Sequence, residues 1–391
     1  MIYIGIDVAK YKHDCFVTNQ HGEVLMSPFT IPNTMDGFNE LSSRIYSLTS
    51  TPQEIKIGLE ATGHYSYNIL GFLLNKGLTT YVINPLYTNL HRKSLSLRLT
   101  KTDPIDARVI TSLLMSSSDL KPYSNSSYHN EELKSLARYR FEKVRQRARL
   151  KATIKRLIVI LFPELESLVA TVHIPSVYAL LSEFPSAQAI ASAHLTRLTH
   201  LLTSVSYGKF DKNTAIAFRD AARNSIGSNM PAKSLELRHT IRLINELSEE
   251  IEEVESAIKT LVDEMNSPIL TIPGINYDMG ALILAEIGDF SRFDSSAKLL
   301  AFAGLSPTTY QSGTYESSHA HMEKRGSRYL RYALFNATKN VCRWEPTFNA
   351  YLAKKRSEGK HYYVALSHAM KKLLRVIYHL EKEHCTYQPG L

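Results

Sequence analysis

Two largely apolar runs near the N-terminus each end at an acidic residue. The run at 2–6 precedes Asp7, and the run at 55–59 precedes Glu60. Runs of this length, rich in β-branched residues, predict strands. Further strands are predicted at 14–18, 23–26 and 79–85, and helices at 35–48 and 66–75. Three strands followed by alternating helix and strand predict an α/β domain with a mixed sheet, in the element order of an RNase H-like (RuvC-like) fold.

The pattern becomes helical after a polar, turn-rich segment at 118–130, which predicts a linker. Apolar residues recur at helical spacing through 131–162 and, with a near-heptad rhythm, through 232–265. The first helix is basic and the second acidic. This pattern predicts either an antiparallel coiled coil between the two or a dimer seam, and the intervening 165–230 reads as short helices.

The last third predicts a mainly helical domain. Helices at 278–287 and 295–303 follow the Pro273-Gly274 turn and resemble a helix-hairpin-helix unit, and a final helix is predicted at 362–383. We therefore expect a RuvC-like catalytic domain at 1–125, a helical coiled-coil region at 126–265 and a C-terminal domain at 266–391.

Charge narrows the choice of partner. The 391 residues carry a formal net charge of +9, which favours a polyanionic partner, nucleic acid above all. Three scattered cysteines show neither zinc spacing nor a disulfide framework. Without a signal-peptide core in 1–20 or an apolar stretch of membrane-spanning length, we expect a cytoplasmic protein with no membrane contact.

Four carboxylates carry the candidate chemistry. Asp7 and Glu60 end their strands, and Asp103 and Asp106 lie three apart at the start of a predicted helix, on one face. Together they would suit Mg²⁺, which prefers oxygen ligands, and two such ions would suit phosphoryl transfer. The alternative is structural: Asp103 before Pro104 also fits an N-cap, and Asp106 suits the helix dipole.

Basic residues cluster in the helix at 131–162, where ten Lys and Arg face three acids. Such a bias favours contact with a phosphate backbone, and we name Arg138, Arg145 and Arg149 as candidates. The alternative is a solvated charged face. A basic loop is predicted at 91–98, leading into the motif at 101–107.

Taken together, the motifs resemble the DEDD-type transposases of bacterial insertion sequences, which are similar to the Piv DNA invertases and include the bridge-RNA-guided recombinases. In the N-terminal half the resemblance rests on Gly5-Ile6-Asp7-Val8-Ala9-Lys10, Glu60-Ala61-Thr62-Gly63 and Lys101-Thr102-Asp103 with Asp106-Ala107. In the C-terminal half it rests on Ile272-Pro273-Gly274-Ile275, Ala285-Glu286-Ile287-Gly288-Asp289, Ala303-Gly304-Leu305 with Pro307, Gln311-Ser312-Gly313 and Leu330-Arg331. Many relatives have glycine where this chain has Asn276, which affects only the local turn.

The resemblance implies roles for these positions. The four family acids match Asp7, Glu60, Asp103 and Asp106 as Mg²⁺ ligands, and the family's serine nucleophile matches Ser312. The implied reaction cuts and rejoins DNA through a phosphoserine link, which divides one difficult transfer into two easier ones.

The resemblance also implies partners. A structured RNA from the element's own non-coding end would pair with donor and target DNA, and the protein would act as a homodimer or homotetramer in the bacterial cytoplasm, associated with the nucleoid. Arg328, Arg331 and Lys360 are then candidate phosphate contacts, with solvated surface charge as the alternative reading of each.

Four other functions stay open at this point. A site-specific invertase acting without RNA shares the same motifs. A metal-dependent nuclease such as a junction resolvase would keep the carboxylates and not need Ser312. A non-catalytic nucleic-acid-binding protein would need none of them. A sugar kinase of the actin-like fold would need a second phosphate loop of the Asp-x-Gly-Thr type, which is absent from the sequence.

Overall fold

The computed structural model describes residues 1–61, 64–95, 103–117, 120–123, 125–307, 311–312, 315–316 and 322–389. It describes the backbone alone for 103–104, 125–129, 311–312 and 315–316. These residues form two compact units. Unit 1 contains 1–132 and 288–294, and unit 2 contains 133–287 and 295–391.

A five-stranded mixed sheet is the centre of unit 1. Its strands are β1 Ile2–Val8, β2 Lys12–Asn19, β3 Val24–Pro32, β4 Ile55–Glu60 and β5 Thr79–Ile83. They lie in the order β3-β2-β1-β4-β5. The β1–β2 and β2–β3 pairs are antiparallel, whereas β1–β4 and β4–β5 are parallel. This order and these directions confirm the predicted RNase H-like fold with a mixed sheet.

One face of this sheet forms an apolar core. Alternate residues of a strand point to opposite faces, so Ile4 and Ile6 of β1 share a face with Ile57 and Leu59 of β4. All four are fully buried, and each contributes about 1.5–3 kcal/mol of hydrophobic stabilisation. Helices α1 (Met35–Tyr46) and α2 (Ser66–Asn75) supply the other half of this core.

Helices α3 (Pro85–Leu95) and α4 (Asp103–Ser116) complete unit 1, and α4 packs on the opposite face, against β1, β2 and β4. The prediction of a basic loop at 91–98 was wrong for 91–95, which lie in α3. The helix forms because Pro85 occupies its first position and the Asn84 side chain accepts a hydrogen bond from the Leu86 amide at 2.9 Å.

Two long helices dominate the first part of unit 2, α5 (Asn125–Leu161) and α11 (Pro231–Met265). The predicted linker at 118–130 was too long, since α5 already begins at Asn125, six residues before the predicted start of the helix at 131. Ion pairs join Arg140 to Glu255 and Arg156 to Glu236, so the two helices run antiparallel within one chain. The intrachain coiled coil, one of the two alternatives, is therefore confirmed.

Five short helices between them form the predicted helical insertion, and their apolar side chains share a core with α5 and α11. They are α6 Leu165–Leu168, α7 Pro175–Glu183, α8 Ala187–Ser192, α9 Leu195–Val205 and α10 Lys212–Arg223.

The rest of unit 2 is mainly helical, as predicted. Its elements are α12 Tyr277–Ile287, α13 Ser296–Phe302, β6 Gln311–Ser312, β7 Tyr315–Glu316, α14 Arg328–Trp344, α15 Pro346–Ser357 and α16 Tyr362–Glu383. The sequence analysis missed α14 and α15. The signal for α14 was present: Ser327 caps its N-terminus, and Leu330, Leu334 and Val341 recur on one buried face. The three-domain division and the helix-hairpin-helix interpretation remain predictions.

Within the described part of the chain, no helix combines the length and the apolar character needed to cross a membrane.

Candidate active site

Asp7 and Glu60 extend from the same edge of the sheet. The parallel register of β1 and β4 pairs Ile6 with Leu59, so the next residues along the two strands are Asp7 and Glu60. Neighbouring residues of parallel strands at one register point to the same face. That face is opposite Ile6 and Leu59, and α4 packs on it.

Two glycines let α4 lie close to this face. Gly5 and Gly58 are paired in register on β1 and β4. A Cβ atom on Gly5 would lie 2.2 Å from the carbonyl oxygen of Ala107, and one on Gly58 would lie 2.9 Å from Cγ2 of Ile110. Because the two strands carry no side chain at these positions, the first turns of α4 pack closely over the strands that carry the two acids.

This packing brings Asp106 and Glu60 to one cavity of about 240 Å³. Glu60 Oε1 accepts a hydrogen bond from Thr88 Oγ1 at 2.7 Å. Asp106 Oδ1 lies 3.3 Å from Nη1 of Arg92, whose Nη2 donates to Asn89 at 3.0 Å. Two carboxylates and one guanidinium therefore share a small, solvent-connected space.

Thr88 and Arg92 were not predicted as site residues. Both lie on α3, where the sequence analysis predicted a loop in part, so their helical spacing of four was not used. The signal that could have found them is the Asn84-Pro85 start of α3, which places Thr88 and Arg92 on one face of the helix.

A further carboxylate, Asp14, lies on the same face. It is directly opposite Asp7 in the antiparallel β1–β2 pair and is only 5% exposed. Thr30 Oγ1 donates to it at 2.5 Å and Lys12 Nζ lies 3.2 Å away. The Asp14 carboxylate thus binds side chains of β2 and β3, and it adds negative charge beside Asp7.

The chemistry of the donor set suits a hard divalent cation. Glu60 and Asp106 offer carboxylate oxygens to one cavity, and Mg²⁺ is bound in proteins by one or two carboxylates plus water. Among the described side chains, no three metal-binding groups come close enough together to form a cation site. The backbone of Asp103 begins α4, whereas its side chain lies outside the described residues.

Ser312 lies in β6, which pairs antiparallel with β7 in unit 2. It pairs with Tyr315, and Gln311 pairs with Glu316. Its side chain lies outside the described residues. The structure does describe the base of this segment, where Pro307 and Met322 form a bridge and the Lys324 amide donates to the Gly304 carbonyl at 3.1 Å.

Arg331 braces that base. Its Nη1 lies 3.2 Å from the carbonyl oxygens of both Arg325 and Gly326, and 3.4 Å from that of Ala303. The chain approaches itself closely here, since a Cβ on Gly304 (φ +68°) would meet the Arg325 carbonyl at 1.9 Å. The guanidinium that the sequence analysis assigned to phosphate contact thus binds backbone on either side of the serine segment.

Arg138 also has an internal partner. Its Nε and Nη2 bind the two carboxylate oxygens of Glu286 at 2.5 and 2.9 Å, and Glu286 is 5% exposed. The same guanidinium lies 4.8 Å from the ring centre of Tyr329. A bidentate pair with a buried carboxylate stabilises the contact between α5 and α12.

The remaining candidate cations are more accessible. Arg149 is exposed on α5. Arg145 is exposed, 3.4 Å from Glu142 and 5.6 Å from the ring centre of Phe141. Arg328 is 64% exposed and 3.2 Å from Glu142. Lys360 is half-buried between α15 and α16. Phosphate contact at these four positions stays a prediction, whereas Arg138 and Arg331 bind groups within the chain.

Two protein-family models match this chain, one in each half. A transposase family model, that of the DEDD transposases of IS110 type, matches residues 4–163. A second model, described as transposase of the IS116/IS110/IS902 family, matches residues 266–353.

Two relatives match almost end to end. The chain is 25% identical over 395 residues to an uncharacterized 42 kDa protein of insertion element IS900 from Mycobacterium paratuberculosis, covering 100% of this chain and 98% of that protein. It is 25% identical over 387 residues to the pilin gene-inverting protein of Moraxella lacunata, covering 96% and 94%.

Among solved structures, T. thermophilus RuvC in complex with a Holliday junction substrate matches at 12% identity and a TM-score of 0.23, covering 31% of this chain and 99% of that one. The fold assignment rests on the strand order of unit 1 and not on this match.

Proposed function

Because the chain belongs to the DEDD-type transposases of insertion sequences, we propose that it cuts and rejoins DNA through a phosphoserine intermediate. In this proposal Ser312 is the nucleophile, and Asp7, Glu60, Asp103 and Asp106 are the metal ligands. A structured RNA of the element selects the DNA sites by base pairing, while the protein reads shape and backbone.

The reaction consists of two transesterifications. In the first, Ser312 Oγ attacks the scissile phosphorus, the bond to one DNA strand breaks, and the released hydroxyl takes up a proton. In the second, a hydroxyl of the other DNA attacks the phosphoseryl ester and releases Ser312. The number of phosphodiester bonds is conserved, so no nucleotide hydrolysis is needed. Mg²⁺, when bound by the four carboxylates, supplies positive charge to the phosphate oxygens and lowers the pKa of the attacking hydroxyl.

The observation that carries the proposal is the shared cavity of Glu60 and Asp106, on the sheet face to which Asp7 also points. Gly5 and Gly58, which lack side chains, let α4 lie close to the strands that carry Asp7 and Glu60, and this supports a joint role for the acids. A surface role for each acid would require no such arrangement.

Arg92 has a place in this reaction. It lies beside Asp106 in the same cavity, and a guanidinium there can balance the carboxylates before a cation binds. Once DNA enters, the same fork can hold a phosphate oxygen.

A cleavage assay tests the metal-ligand part of the proposal. Purified protein, element RNA, DNA carrying the element ends and Mg²⁺ are incubated, and cut strands are resolved on a denaturing gel. Glu60→Gln and Asp106→Asn should each lower the cleavage rate by a factor on the order of 100 or more. The matched control is Glu54→Gln, an exposed carboxylate just before β4, which should cut at the wild-type rate. Wild-type cleavage by both site variants would refute the metal site.

A second candidate function is inversion of a DNA segment without RNA. The similarity to the pilin gene-inverting protein over nearly the whole chain supports it. Repeating the assay with and without the element RNA separates the two: an RNA-guided enzyme is inactive without RNA, whereas an invertase is not affected by its removal.

A further inference from the structure

The helical insertion of unit 2 contains a cavity to which no role has been assigned. It has a volume of about 460 Å³, within the range of pockets that take a small ligand. Lys151 of α5 lies on one side, His173 and Tyr178 at the start of α7 on another, and Asn245 and Ser248 of α11 close it. We refer to it as the insertion pocket.

No Asp or Glu lines the insertion pocket. Three other cavities of the described residues differ in this respect, being lined by Glu246 and Glu250, by Glu183, or by Glu60 and Asp106. Lys151 forms no salt bridge with any described residue. Glu166, outside the lining, is an acidic residue whose charge acts on His173. The cavity therefore combines an uncompensated ammonium group with neutral polar groups, which suits an anion.

A second cation stands behind the wall. Arg147, one turn before Lys151, donates to Ser248 Oγ at 3.3 Å, and that hydroxyl donates to the Ile244 carbonyl at 2.8 Å. The positive potential in the pocket thus has two sources on one face of α5.

The His173–Tyr178 pair supplies a hydrogen-bond donor in either tautomer. Nδ1 of His173 lies 2.9 Å from the Tyr178 hydroxyl. If the hydroxyl donates, the neutral ring carries its proton on Nε2. If Nδ1 donates, the hydroxyl proton is free to donate elsewhere. Burial and the nearby Lys151 and Lys155 hold the pKa of His173 below its ordinary value.

The pocket also offers flat apolar surface. Tyr178 is 7% exposed, its ring stands edge-on to that of His173 with centres 6.2 Å apart, and Val205 and Ile244 complete the wall. An unstacked base binds such rings and aliphatic faces.

We propose that the insertion pocket binds a single unpaired nucleotide, with its phosphate at Lys151 and its base against Tyr178 and His173. The ligand chemistry, a nucleoside monophosphate, has two sources: a nucleotide splayed out of a bound polynucleotide, or a free mononucleotide. The choice of a nucleotide as the ligand rests on the proposed function. The pocket itself shares no lining residue with the carboxylate site.

Binding and crosslinking test the proposal without catalysis. The full chain is mixed in EDTA with a fluorescent eight-nucleotide single-stranded RNA that contains 4-thiouridine. Affinity is measured by anisotropy, and ultraviolet crosslinks are mapped by mass spectrometry. The expected crosslink lies in residues 173–182, and competition with unlabelled RNA or with millimolar AMP distinguishes the two sources.

Two variants act on the pocket in different ways. Ala179→Phe fills the cavity without changing charge, and Lys151→Ala removes the charge and widens the cavity. Each should weaken RNA binding about tenfold, because stacking of one base and contact with one phosphate both contribute at that scale. The matched controls, Ala232→Phe and Lys212→Ala at exposed positions of α11 and α10, should stay within twofold of wild type.

The outcomes separate the possibilities. If unlabelled RNA abolishes the crosslink and AMP does not, the pocket binds a nucleotide of a polynucleotide. If AMP abolishes the crosslink, the pocket binds a free nucleotide. Wild-type affinity of both Ala179→Phe and Lys151→Ala, with melting temperatures unchanged, would overturn the proposal. An Asp106→Asn variant that no longer cuts DNA should keep the crosslink, so failure of the carboxylate site and failure of the pocket give different results.

Discussion

Adding one methyl group to Gly5 should disable the carboxylate site, whereas the same change at Gly58 should not. The two glycines are paired in register under α4. A methyl on Gly5 meets backbone, the carbonyl oxygen of Ala107 at 2.2 Å. A methyl on Gly58 meets a side chain, Cγ2 of Ile110 at 2.9 Å, which needs a displacement of only about 0.5 Å to restore ordinary contact.

The magnitude follows from the distances. An ordinary contact begins at 3.4 Å, so Gly5→Ala requires the Ala107 carbonyl to move by about 1.2 Å. Overpacking of this kind costs about 1–3 kcal/mol, and we expect about 3 for Gly5→Ala and about 1 for Gly58→Ala. Asp106 precedes Ala107 and moves with it, and a displacement of about 1 Å lowers a reaction rate on the order of 100-fold.

Two measurements check this reasoning. Hydrogen exchange of the α4 amides reports local opening, which Gly5→Ala should make easier than Gly58→Ala does. The cleavage assay should show a large loss for Gly5→Ala and less than a fivefold loss for Gly58→Ala. Equal effects of the two substitutions, or wild-type exchange and cleavage by Gly5→Ala, would show that the close approach of helix and sheet does not position Asp106.

Four further substitutions have definite expected results. Arg331→Ala should leave DNA affinity within twofold and abolish the serine-dependent step, because its guanidinium binds backbone carbonyls. A loss of DNA affinity as large as the loss of activity would instead show that Arg331 contacts phosphate. Arg138→Ala should lower the free energy of unfolding by about 2 kcal/mol, since it leaves the buried Glu286 unpaired while Arg138 itself is 41% exposed. The exposed Arg149→Ala should spare stability and flatten the salt dependence of DNA binding. Burial lowers the pKa of His13 below its ordinary 6.5, so the unfolded chain binds the proton more readily. Stability should therefore fall as pH drops below about 6.5, by up to about 1.4 kcal/mol per pH unit, and His13→Leu should flatten that slope in a urea titration at several pH values.

The sequence predicted those parts of the fold that depend on local periodicity. The strands that carry Asp7 and Glu60, the acidic helix ending at Met265 and the last helix, Tyr362–Glu383, all follow from apolar spacing and turn residues, although the first strand continues to Val8. The α3 helix was missed because its basic, polar sequence has a weak apolar face, and only Asn84 and Pro85 mark its start.

The site was predicted in its residue types but not in its surroundings. Spacing and family resemblance named the acids, whereas Thr88 and Arg92 contact them from α3, 28 residues from Glu60 and 14 from Asp106. Likewise, ten basic residues on α5 suggested a phosphate surface, but acidic partners on α11 and α12 neutralise several of them. Contacts between distant elements decide which charges stay available, and local patterns do not contain them.

The central claim is that Ser312 forms a covalent bond with DNA. The most direct test mixes the purified protein with Mg²⁺, the element RNA and labelled donor and target DNA, and separates the products on a denaturing protein gel. The account predicts a DNA-shifted protein band for the wild type and none for Ser312→Ala, with Ser306→Ala, at the base of the same segment, as the control that keeps the band. Cleaved DNA without a covalent adduct in either protein would contradict it and leave a metal-dependent nuclease.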